Sequence, residues 1–174
     1  MTTQSDLSIP VDAPHTLDTA RVYREGMIAG VLGALAIALW FLVLDTLSGR
    51  PLWTPTVLGT VLFRGGAGLN APESLAVSPE MVLMFTWVHG LVFVALGGLV
   101  AHLLAHVERH PGSGFGVLLL FVIFQFGFIG AATIFAAPVL RLLSPWSILV
   151  ANLLAAAAMA AYFRECHPAL RVEP

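Results

Sequence analysis

The stretch Gly26–Leu44, GMIAGVLGALAIALWFLVL, contains no ionisable side chain. At about 1.5 Å per residue, a helix of that length nearly spans the roughly 30 Å hydrocarbon core of a bilayer. Other stretches repeat the pattern. Met81–Ala101 carries no charge except a possible one on His89, and Gly112–Leu140 and Leu142–Phe163 carry none. In hydrocarbon, every backbone N–H and C=O must be paired within the protein, so such stretches are helices. Strand-like alternation is absent, which argues against a membrane barrel. The expected fold is all-α, a four-transmembrane-helix bundle with spans near 22–48, 80–108, 114–138 and 145–164.

Composition points the same way. Of 174 residues, 58% are hydrophobic and 10% charged, where soluble domains average about 25% charged. The length allows one domain. We read residues 1–20 as a polar tail, 21–166 as a single membrane domain and 167–174 as a second tail. The first tail lacks the apolar core of a secretory signal peptide. A net charge of -2 offers no basic surface for nucleic acid. The single cysteine, Cys166, has no partner for an internal disulfide.

Local signals mark the span ends. The first helix is expected to start near Asp18 or Thr19 and to end near Ser48-Gly49. Ser78-Pro79 and Ser144-Pro145 pair an N-cap residue with proline in the first turn. His110-Pro111-Gly112 closes the second helix, Pro138 interrupts the third and His167-Pro168 closes the fourth. The longest connection runs from about Gly49 to Glu80. Within it, Thr54 is expected to cap a short helix with Pro55 in its first turn. That helix is too short to cross and should be interfacial or re-entrant. Trp53 and Trp146 suit the headgroup level.

Arginine sets the expected orientation. Arg21, Arg24, Arg109, Arg164 and Arg171 fall on one side, and Arg50, Arg64 and Arg141 on the other. The majority side holds both termini, which are expected in the cytoplasm. The chain has the general look of small bacterial inner (plasma) membrane proteins, and that membrane is its expected location. Small residues should let the helices approach closely: Gly26, Gly30, Ala34 and Ala38 in the first span, Gly90, Gly97 and Gly98 in the second, and Ala151, Ala155, Ala156 and Ala160 in the fourth. Besides the lipid bilayer, such faces fit a second copy or another membrane protein as partner.

Polar residues inside spans are costly and are therefore candidates for function. His89, Thr133 and Asn152 fall at similar depths, Thr86 lies one turn from His89 on its face and Asp45 lies higher, near the outer end of the first span; the five form one candidate cluster in the outer half of the bundle. Such a cluster can serve a ligand or a proton, or simply hydrogen-bond helix to helix. His102, His106 and His110, spaced by four on one helix face, are weaker candidates for a metal; Glu108 lies off that face. Haem held by two histidines would need a second histidine opposite His89, and no other span offers one. There is no Gly-x-Ser-x-Gly elbow, no phosphate loop and no His-Glu-x-x-His pattern. We therefore expect no enzyme activity and no cofactor. The favoured expectation is a non-enzymatic membrane subunit or interaction protein. A small transporter using the polar cluster, and a histidine-based metal or haem protein, are the alternatives.

Overall fold

The structure, a computed structural model, describes residues 19–66, 75–109 and 143–167. Those residues form four helices: α1 (Thr19–Leu47), α2 (Trp53–Arg64), α3 (Pro79–Arg109) and α4 (Pro145–Cys166). α1, α3 and α4 are long and apolar enough to cross a membrane. The expected third span, 114–138, lies outside the described residues. At 12 residues, α2 reaches about 18 Å and is too short to cross.

Less than a quarter of each span's most apolar window is buried inside the protein. Leu39, Val43, Leu83, Trp87, Trp146 and Leu153 all point outward. Water would not tolerate so much apolar surface on one small chain, whereas lipid covers it without cost. This is a multi-pass membrane protein.

α1 is the hub, packing on α3 and α4. Its buried residues are Glu25, Gly26, Ala29, Gly30, Gly33, Ala34 and Asp45. A Cβ added at Gly26 would stand 2.5 Å from Gly98 Cα, and one at Gly97 would stand 2.6 Å from Gly30 N. The α1 and α3 backbones are therefore in contact there, which only glycine allows. Four expected contact residues fall elsewhere, two of them, Ala156 and Ala160, exposed on α4. Ala38 is exposed, because a spacing of four drifts about 40° per step on a helix of 3.6 residues per turn. Gly90 meets open space.

The ends follow local chemistry. α1 closes through a Schellman arrangement. Gly49 N–H bonds Thr46 O at 3.0 Å and Arg50 N–H bonds Asp45 O at 2.9 Å, with Gly49 at φ 72°. Ser78 Oγ accepts from Met81 N–H at 3.5 Å at the start of α3. α2 departs from expectation: it begins one residue before Thr54, behind Leu52 in the left-handed region (φ 65°). Thr54 sits in the first turn and does not cap its own helix; the cap comes from α1.

Candidate functional site

Asp45 sits in the last turn of α1 and is 6% exposed. Its Oδ2 accepts the Thr54 backbone N–H at 2.7 Å, and its Oδ1 accepts the Thr54 hydroxyl at 2.7 Å. Both donors belong to the first turn of α2, where free N–H groups need acceptors and negative charge is favoured. The tight turn at Gly49 brings α2 back onto this carboxylate. Asp45 thus anchors α2 to the end of α1. A cavity of about 210 Å³ opens beside it, lined in part by Ser48, Arg50, Trp53, Ser144 and Ser147.

His89 lies further down α3. Its Nε2 is 3.3 Å from the Ala34 carbonyl oxygen of α1. A carbonyl only accepts, so Nε2 carries the proton and donates. The ring packs against Phe85 at 5.6 Å and Phe93 at 4.8 Å between centroids. His89 does not line the Asp45 cavity. Thr86 and Asn152 are exposed. Thr86 precedes His89 by three positions and is turned about 60° from it, toward the outer face. Asn152 follows the buried Ala151, stands about 100° round the helix from it and is exposed. Thr133 lies outside the described residues. The structure therefore distributes the described members of the polar cluster among separate surroundings. Asp45 belongs to α2, His89 to the α1 backbone, and Thr86 and Asn152 to the outer faces.

His102 and His106 are exposed on α3, and His110 lies outside the described residues. Among the described residues, no three His, Cys, Asp or Glu side chains are placed so that together they could hold a metal ion.

The opposite end holds a constellation that the sequence reading did not single out. Arg21 Nε donates to Glu25 Oε1 at 2.7 Å. Glu25 Oε2 is 3.0 Å from His167 Nε2, and His167 Nδ1 is 2.6 Å from Glu108 Oε1. Arg21 Nη2 also reaches the Cys166 carbonyl oxygen at 3.4 Å. Glu25 and His167 are almost wholly buried, with side chains 7% and 9% exposed. Three helix ends are joined: the start of α1, the end of α3 and the end of α4. Two signals in the sequence pointed here. Arg21 and Glu25 are spaced for a helical ion pair, and Glu108 and His167 each stand at a span end on the same side. Only the packing of α1 against α3 and α4 turns them into one network.

No known protein family, curated protein or solved structure matches this chain. Among the described residues, every buried side-chain nitrogen or oxygen has a hydrogen-bond partner. Asp45, His89, Glu25 and His167 are engaged in holding helices together. Their arrangement positions the spans, as buried polar groups do when fully satisfied.

Proposed function

We propose that this chain is a non-enzymatic interaction protein of the membrane, associating in the bilayer with another copy or with another membrane protein. The observation that carries the reading is how the polar residues of the spans divide. Asp45 and His89 bond within the bundle, while Thr86 and Asn152 face outward. A side-chain amide facing lipid lacks partners, and a helix from a neighbour can supply them. One such bond contributes about 0.6 kcal/mol on average. Ala156 and Ala160, also exposed, continue the Asn152 face at spacings of four and leave room for close approach.

The fuller architecture belongs to the same proposal. Trp40 Nε1 donates to Ser147 O at 3.0 Å, so the start of α4 lies toward the Asp45 end of α1. Glu108 and His167 meet at the other end. The connection between α3 and α4 thus has to travel the length of the bundle, which supports a fourth crossing by Gly112–Leu140. Both termini then share a side, and the arginine excess assigns it to the cytoplasm of a bacterial inner membrane. α2 rests at the opposite interface.

The test is native mass spectrometry of the protein released from its own membranes into a mild detergent. A second polypeptide should accompany the chain, and Asn152→Leu with Ala156→Leu should remove most of it. A wild-type chain that is always a bare monomer, there and in lipid nanodiscs, sinks the reading.

A further inference from the structure

The cavity beside Asp45 has a composition that neither helix packing nor the α2 anchor uses up. At its rim stand the hydroxyls of Ser48 and Ser144 and the guanidinium of Arg50, all exposed. The Arg50 guanidinium carbon lies 4.7 Å from the Trp53 ring centre. That cation–π contact sets the cation over an aromatic face and leaves guanidinium N–H groups for an acceptor. Deeper in lies Asp45, the carboxylate of the cavity lining. Its oxygens each accept once from Thr54, and a carboxylate oxygen retains a second lone pair. Arg50 and Asp45 line the same space without forming a salt bridge, although one cation and one anion are present.

Position adds a second constraint. The cavity lies where α1 ends and α2 and α4 begin. Trp53 lines it, and exposed Trp146 is close by in the chain. Indole rings favour the headgroup level of a bilayer, where phosphates are found. A purely anionic ligand would meet Asp45 unfavourably, and a purely cationic one would meet Arg50 unfavourably. A ligand bearing both charges a few bonds apart satisfies both.

We propose that this cavity binds a phosphoethanolamine group, as carried by phosphatidylethanolamine. The phosphate takes the Arg50 edge and the rim hydroxyls, and the ammonium turns inward to Asp45. Arginine is suited to phosphate because its planar fork meets two oxygens at once. Nothing covalent happens to the lipid.

The test uses the full chain in detergent, titrated with phosphatidylethanolamine or phosphatidylglycerol and read by native mass spectrometry. Wild-type protein should retain phosphatidylethanolamine about tenfold more tightly than phosphatidylglycerol, the effect of one added charge-assisted contact. Arg50→Gln should weaken both by about tenfold, whereas Arg50→Lys, which keeps the charge, should lose less. Soluble phosphoethanolamine is the competitor. If it displaces the lipid at a similar concentration, the headgroup alone is recognised and a soluble source serves as well. If it does not, the anchored lipid is the ligand. Equal retention of the two lipids by wild type, or unchanged retention by Arg50→Gln of unaltered thermal stability, overturns the proposal.

Discussion

Glu25 is the residue on which three helix ends depend. It stands next to Arg21 and His167 at once, and its side chain is 7% exposed. Removing the carboxylate takes the partner from His167 Nε2 in a site it shares with little water, leaving only Nδ1 paired with Glu108, while Arg21, half exposed, can turn to solvent. Breaking a buried pair from one side costs more than the pair contributes, because the remaining group keeps its desolvation penalty. Glu25→Ala should therefore lower stability by about 3 kcal/mol. Glu108, 38% exposed, is a different case. Glu108→Gln keeps an acceptor near His167 and leaves water within reach, so it should cost less than about 1 kcal/mol. Unfolding by SDS titration in mixed micelles ranks the two. Equal losses would mean that burial does not set the strength of this network.

Among the elements, the α1–α3 contact decides how closely the bundle can pack. Gly97 and Gly90 both lie on α3, one turn-pair apart, yet they face different surroundings. A Cβ at Gly97 would press on the backbone of Gly30, which cannot yield as a flexible side chain would. Gly97→Ala should separate α1 from α3 and cost roughly 2–3 kcal/mol. At Gly90 a Cβ meets nothing within 4 Å. Gly90→Ala should be neutral or should stabilise by about 0.5–1 kcal/mol through the lower backbone entropy of the unfolded chain. Thermal unfolding in one detergent separates them, and a Gly90→Ala loss as large as that of Gly97→Ala would refute the contact. The two glycines also show where sequence reading stops. The three described spans and the ends at Ser78-Pro79 and Ser48-Gly49 are written in hydropathy and capping chemistry, which are local; Pro145 opens α4 as expected, but Ser144 makes no side-chain cap bond there. Which glycine touches a neighbour depends on how the helices are rotated, and that is a property of the pair. The same reason hid the partnership of Asp45 with Thr54: a carboxylate at a span end looks solvated until the turn at Gly49 folds α2 back onto it. Glu25, Glu108 and His167 were legible as charges at one side of the membrane, but not as a network, because 142 positions separate Glu25 from His167.

On the scale of the whole molecule, the sharpest consequence is the number of crossings. α1 runs antiparallel to both α3 and α4: its start meets their ends at Glu108 and His167, and Trp40, late in α1, meets Ser147 at the start of α4. α3 and α4 are then parallel, and parallel neighbours cannot be joined by a short turn. In the proposed architecture the apolar run Gly112–Leu140, long enough to cross the bilayer, makes the return. With the four crossings proposed above, both ends of the chain would share one side, and the five-to-three arginine bias would assign that side to the cytoplasm. Reporter fusions distinguish the cases directly. A fluorescent protein that matures only in the cytoplasm should light up whether joined before Met1 or after Pro174, and alkaline phosphatase should stay inactive at both places. Phosphatase placed after Gly66, in the connection between α2 and α3, should be active. If one terminus reports the cytoplasm and the other the far side, the number of crossings is odd and the return through Gly112–Leu140 does not occur. If both termini report the far side, four crossings stand and the arginine count has been outweighed.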